Sequence, residues 1–241
     1  MNGDNEVIDI LATLEGWCSS LCPKIEIAAL YARNPAAHKW KSPFRYLMLR
    51  ELVSWRLTDL LSQAFSLKQS NHIMGAIILT RSCMETLAIL IYANLKTEQF
   101  IEGRMNFDSW QALTSSLIFG SKDGSTGIAA INTKTVLEQS NKKYQGMYNQ
   151  YEILSELAHP NNAGLFLGYA NINQNDYEAA FRIQFDEQKY GDILEESMRA
   201  LIMSFQYEYG TVWLREFERL EQWLVDNDAT LEAKRAASDD K

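Results

Sequence analysis

Residues 73–95 read IMGAIILTRSCMETLAILIYANL, and this stretch decides the fold. It is the longest apolar run in the chain and nearly long enough to span a bilayer. Two charges, Arg81 and Glu85, fall in its middle, where a charge is costly in lipid. A helix that is apolar on almost every face belongs inside a bundle of other helices. The expectation is a soluble helical protein with no membrane partner and this helix, over 72–95, at its centre. Arg81 and Glu85 lie one turn apart, so their side chains can meet. In so apolar a helix both are expected to be buried, and a buried charge needs a partner.

The same spacing extends in both directions. Ile10, Leu14, Trp17, Leu21, Ile25 and Leu30 recur helically over 6–31, with Pro23 set to kink or split the helix. Asn34-Pro35-Ala36-Ala37 and Ser42-Pro43 mark a loop. Ser42 is the expected cap, and Pro43 the first turn, of a helix over 44–67. Trp110, Leu113, Leu117 and Ile118 predict a shorter helix. The run Gly120–Gly127 predicts a mobile surface loop, and helical spacing then resumes from Ala129 to His159 with a break at Gly146. Leu165–Ile172, a turn at Asn173–Asp176, and the alternation of Phe181, Ile183 and Phe185 predict a small β-hairpin. Leu194, Met198, Leu201, Phe205, Val212, Leu220 and Leu224 stripe a long final helix over 190–225. Beyond Asp226 the chain turns polar and rich in small residues, so 227–241 is expected to be a disordered tail. The predicted fold class is all-α. It is a single helical-bundle domain over 1–226 with a long central apolar helix, a long C-terminal helix and one inserted β-hairpin.

Composition narrows the function classes. The chain has 241 residues, 46 % of them hydrophobic, with only 4 Pro and 12 Gly, which suits long helices. Its net charge of −8 weakens any general attraction to nucleic acid without excluding a local basic patch. The three cysteines, Cys18, Cys22 and Cys83, form no disulfide framework and fit a reducing, cytoplasmic compartment. Met1–Asp9 lacks the basic start of a signal peptide. Cys18 and Cys22 have the spacing to share a metal, but His38, His72 and His159 supply no second pair of ligands, so no metal is expected. Lys122 is followed by Asp123, which rules out a Walker-type phosphate loop. Neither a His-Glu-x-x-His zinc helix nor a Gly-x-Ser-x-Gly elbow occurs. No cofactor is expected.

One stretch is strongly basic. Arg33, Lys39, Lys41, Arg45, Arg50 and Arg56 stand against Glu51 alone, a net charge of +5. His38, Trp40, Phe44 and Tyr46 are interleaved with them. Lys and Arg can contact phosphates while aromatic rings stack on unpaired bases, so Lys39, Lys41 and Arg45 are candidate nucleic-acid-binding residues. From Asp186 to Lys241 the balance is the reverse, a net of −7. A basic and an acidic face on one chain can also pair between subunits, so a homodimer competes with RNA for the same stretch.

A second polar cluster lies in Leu154-Ser155-Glu156-Leu157-Ala158-His159-Pro160-Asn161. His159 sits at the expected C-terminus of its helix, where the dipole favours imidazolium. This segment, together with Thr80-Arg81-Ser82-Cys83-Met84-Glu85, resembles a signature of an uncharacterised family of bacterial helical proteins. That family is distantly similar to the HEPN superfamily of helical bundles, many of which act on RNA in defence and toxin–antitoxin systems. The resemblance spans residues 45–165. HEPN ribonucleases carry an Arg one to two helical turns before a His. His159 matches that His, but the positions where the Arg would fall are Glu152, Ile153 and Leu154. The resemblance therefore implies two alternatives. One is an RNA-associated, non-catalytic relative. The other is a ribonuclease in which Arg81, on another helix, stabilises phosphate charge beside Glu85 while His159 serves as general acid or base. A reading from a different class is a non-enzymatic bundle that works through protein contacts, as a homodimer.

Overall fold

A computed structural model describes residues 8–239. Residues 6 and 7 of the expected first helix, and 240 and 241 of the expected tail, lie outside them. The chain folds into α1 (Ile10–Ser20), α2 (Ile27–Arg33), α3 (Pro35–His38), α4 (Lys41–Gln69), α5 (Ile73–Ile101), α6 (Phe107–Phe119), α7 (Thr133–Asn141) and α8 (Met147–Ala158). A π-helical turn (Asn162–Phe166) and the single turn α9 (Leu167–Tyr169) lead into a hairpin of β1 (Ala170–Asn173) and β2 (Glu178–Phe181). The chain closes with α10 (Glu187–Tyr207), a second π turn (Glu208–Val212) and α11 (Trp213–Asp239). The all-α bundle with a long central helix, a long C-terminal helix and one antiparallel hairpin is the architecture that the apolar spacing implies.

The local reasons are readable in the residues. Asp9 caps α1 by accepting the Ala12 N–H at 3.1 Å, and Asn106 caps α6 by accepting that of Ser109 at 2.8 Å. Pro23 falls in the break between α1 and α2. Gly146 precedes α8 with φ +93°, a conformation that favours glycine. Ser42 departs from its expected role: α4 starts one residue earlier, so Ser42 lies within the helix and its buried hydroxyl has no hydrogen-bond partner among the described residues. Helix α5 is long and apolar enough to cross a membrane by length and composition, yet 56 % of its most apolar window is buried in protein.

Contrary to the single domain expected, the chain divides into two compact units. One takes α1, the second half of α4, the first half of α5 and the chain from Leu137 to Phe205. Leu57, Leu61, Ile77, Leu87, Leu154 and Leu194 are among its fully buried side chains, and Trp17 meets Phe205 edge-on at 4.7 Å. Lys68 is buried and satisfied by Glu187 at 2.7 Å and Glu195 at 3.2 Å.

The other unit takes α2, α3, the start of α4, the second half of α5, α6 and the chain from Gln206 on. Its core is aromatic. Trp110 stacks on Phe100 at 5.0 Å, and Trp213 stacks on Phe217 at 4.5 Å. Within it Tyr46 donates its hydroxyl to Asn94 Oδ1 at 2.5 Å, and Asn94 Nδ2 donates to Glu208 Oε2 at 2.7 Å. All three side chains are essentially sealed from water, so each polar atom in this chain of bonds depends on the next.

The expected disordered tail is instead helical. Helix α11 continues through Asp226 to Asp239, Leu231 is buried, and Asp228 and Glu232 both bind Lys39. Truncation after Asp226 removes that buried leucine and two ion-pair partners. A loss of about 2–5 kcal/mol is expected from the leucine alone, read as a lower midpoint in urea unfolding followed by circular dichroism. An unchanged midpoint would show that the last two turns are not part of the folded unit.

Candidate functional site

Arg81 leaves α5 toward α8, and four side chains close around it. Its Nε donates to Ser155 Oγ at 2.7 Å, and its Nη2 donates to the Tyr151 hydroxyl at 2.7 Å. The Tyr151 hydroxyl in turn donates to Glu85 Oε1 at 2.9 Å, and Nη2 pairs with the same oxygen at 3.2 Å. The guanidinium also lies 5.0 Å from the centre of the Tyr151 ring. Helix spacing explains the arrangement. Arg81 and Glu85 are one turn apart on α5, and Tyr151 and Ser155 are one turn apart on α8, so two stripes face each other. The expected Arg81–Glu85 pair therefore forms beside the helix that ends at His159. It is half-buried rather than sealed, with the two side chains 24 % and 29 % exposed.

His159 stands apart from this cluster. It terminates α8 with extended backbone, and its N–H donates to the Ser155 carbonyl at 3.0 Å. Its ring is exposed and makes no hydrogen bond or ion pair among the described residues. The residues after it form a structural cap. Asn161 Oδ1 accepts the Gly164 N–H at 3.0 Å, and a Cβ on Gly164 would collide with the carbonyl oxygens of His159 and Leu157. The His-Pro-Asn signature thus turns the chain into the π-helical segment at a close backbone approach that only glycine permits. Arg81 and Glu85 are brought together; no contact joins either side chain to the His159 ring.

The basic stretch resolves into two groups. Lys39 is held by Asp228 at 2.8 Å and Glu232 at 2.7 Å, and those carboxylates raise its affinity for its proton. Asp228 also accepts the Trp40 indole N–H at 3.2 Å. The interleaved aromatics are core, not stacking platforms: Tyr46 and Trp40 are buried, and His38 is sealed against Glu221 at 2.6 Å. Lys41 and Arg45 make no ion pair among the described residues, and neither does Arg235 from α11. These three, with Lys234, line a cleft of about 470 Å³ whose wall also carries Lys39, Asn106 and Gln111. Asp108 is the one carboxylate among its lining residues. Lys234 and Arg235 were not anticipated as site residues. Their adjacency was visible in sequence, but in a segment whose net charge is negative.

No family model matches the sequence, no curated protein matches it, and no solved structure matches the fold. Among the described residues no group of His, Cys, Asp and Glu has the arrangement to hold a metal ion.

Two measurements follow from this geometry. Arg81→Ala strips Glu85, Tyr151 and Ser155 of a shared partner. Partial exposure lets water replace some of what is lost, so the expected cost is about 1–3 kcal/mol, below the roughly 3–5 kcal/mol of a sealed pair. Arg81→Met with Glu85→Leu should recover much of it. Equal unfolding midpoints for wild type and Arg81→Ala would refute the clamp. Cys83, two residues along α5, is buried, and burial pushes its thiol up to about 12. It should resist thiol reagents at mildly alkaline pH while exposed Cys18 reacts. A thiol held protonated by the fold contributes stability at neutral pH that is lost as pH climbs from the ordinary thiol range, about 8.5, toward 12. Labelling of native protein followed by peptide mass mapping checks this, and fast modification of Cys83 would overturn it.

Proposed function

We propose that this chain is a HEPN-like, RNA-associated helical protein of the bacterial cytoplasm that binds RNA without cleaving it, in a defence or toxin–antitoxin setting. The observation that carries the reading is the cleft lined by Lys41, Arg45 and Arg235, three cations with no ion-pair partner among the described residues. Uncompensated cations around one cleft attract a phosphate backbone, and Asn106 and Gln111 supply polar contacts beside them. Lys39 takes a lesser part than its position suggests, because two carboxylates already hold its charge. With His38, Trp40 and Tyr46 in the core, binding rests on phosphates rather than on base stacking, so little sequence preference is expected. The non-catalytic half of the reading is supported by Arg81, whose Nε and Nη2 donors are already engaged, and by the absence of any contact between it and the His159 ring.

The test is fluorescence anisotropy with a labelled, unstructured RNA. Binding should be present at low salt and fall steeply as salt rises, with a slope of about −0.7 for each phosphate contacted. Lys41→Glu with Arg45→Glu should weaken binding by at least about tenfold, since each lost contact is worth one unit of that slope, and should leave the unfolding midpoint unchanged. The RNA should stay intact in gels with wild type and with His159→Ala. No binding at low salt, or binding indifferent to the double substitution, would sink the RNA reading. Cleavage that His159→Ala abolishes would replace it with the ribonuclease one.

A further inference from the structure

The hairpin stands exposed along its whole length. Every residue from 171 to 183 is solvent-exposed, with Phe181 at 80 % and Ile183 at 75 %. The register pairs Ala170 with Phe181 and Ile172 with Ala179. Side chains alternate across a strand, so these four share one apolar face, while Asn171, Asn173, Glu178 and Ala180 share the other. A two-stranded sheet with neither face covered is marginal in water. It also leaves both edges open to another strand.

Hydrogen bonding tells which groups are open. Arg182 donates its N–H to the Tyr169 carbonyl at 3.0 Å, so bonds toward β1 come from alternate residues: Arg182, Ala180 and Glu178. Ala179 and Phe181 therefore turn their N–H and C=O groups outward. The outer edge of β2 is unpaired, since the sheet holds two strands only.

We infer that this edge is a homodimer contact, in which β2 of a second copy adds antiparallel with Ala180 opposite Ala180 across a two-fold axis. This register puts the outward-facing Ala179 opposite Phe181 of the second copy, and Phe181 opposite its Ala179, so both pairs exchange main-chain hydrogen bonds. Each large ring faces a methyl group. The two Phe181 rings lie on the diagonal, roughly 7–8 Å apart and within reach of one another. On the polar face Glu178 falls opposite Arg182 of the second copy, and Arg182 opposite its Glu178. Those are non-hydrogen-bonded positions, where Cα atoms approach to about 4.5 Å and side chains are closest. The charge complementarity occurs twice by symmetry. The edge of β1 offers no equivalent, because Ala170-Asn171-Ile172-Asn173 carries no charge. An interface built on so short a strand is far smaller than the standard one of about 1,600 Å², so the dimer forms and dissociates with concentration.

Charge exchange tests the register itself. Sedimentation velocity of the full chain from micromolar to millimolar should show monomer giving way to dimer. Glu178→Arg alone sets like charges opposite each other twice, as does Arg182→Glu alone. Each should raise the dissociation constant by about tenfold or more without moving the melting temperature, since both side chains are exposed. Mixing the two single variants should restore dimers, because every cross-strand pair is then opposite in sign. Ala179→Pro removes an outward N–H and leaves the β1 ladder intact, so it should prevent dimers by a route that involves no charge. A wild type monomeric throughout, single variants that dimerise like wild type, a mixture that restores nothing, or an Ala179→Pro chain that still dimerises would each overturn the inference.

Discussion

Helix α5 carries apolar side chains around nearly its whole circumference, so other protein must exclude water from nearly all of it. Ile77, Cys83, Leu87, Leu90 and Ile91 are sealed completely or almost so. That requirement governs every polar group the helix carries, because a donor or acceptor cut off from water must find a partner or cost about 1–3 kcal/mol. The responses differ along its length. Thr86 and Thr97 return their hydroxyls to the carbonyls of Ser82 and Ala93 in the preceding turn. Asn94 reaches Tyr46 and Glu208. Arg81 and Glu85 recruit Tyr151 and Ser155. Thr80 is the exception, its buried hydroxyl lacking a partner among the described residues, and nothing in its surroundings accounts for that.

What could be read in advance was whatever repeats along the chain. Apolar spacing marked the helices, Gly146 and Pro23 marked real breaks, and the Asn173–Asp176 turn marked the hairpin. What failed was information carried between distant residues. Lys39 looks like a free cation beside Trp40, and only the fold brings Asp228 and Glu232 against it. The aromatics of the same stretch alternate with charge and so mimic a nucleic-acid platform, yet alternation on a helix puts some of them inward, and Tyr46 and Trp40 are buried. The tail was misread for a local reason. Ala229, Ala233, Ala236 and Ala237 made it look featureless, although alanine is the strongest helix former. Tyr151 and Ser155 were legible as one face of α8, but nothing in the sequence alone pairs that face with Arg81.

A chain with net charge −8 repels a polyanion at long range, and ordinary salt screens that field beyond about 8–10 Å. Local density of positive charge then decides whether RNA binds. Arg33 and Lys39 are spent on Glu221, Asp228 and Glu232, and Arg50 lies over the Tyr209 ring at 3.6 Å while pairing with Glu51 at 3.0 Å. Half of the six cations that made the stretch look basic are thus internal. The remaining field comes from Lys41 and Arg45 together with Arg235, which joins them only because α11 does not end where the apolar stripe does. On our reading the helical tail is therefore part of the binding surface as well as of the fold.

The same accounting of donors bears on catalysis. An arginine that stabilises developing phosphate charge must offer N–H groups to the transition state that it does not already spend in the resting protein. Arg81 spends Nε on Ser155 and Nη2 on Tyr151 and Glu85. Serving a phosphate with those groups would mean breaking two hydrogen bonds of 2.7 Å and leaving Glu85 without its cation. Glu85 is itself a poor neighbour for a phosphate, since its charge opposes the one that arrives. Only Nη1 stays uncommitted, which allows one contact and not the two-pronged grip that makes arginine effective on phosphates. A His on the same helix as the arginine would let one backbone set both groups; here Arg81 and His159 stand on different helices, and the side chain that α8 turns toward the arginine one turn before His159 is Ser155. The geometry that makes Arg81 a good clamp between α5 and α8 is what makes it a poor catalyst.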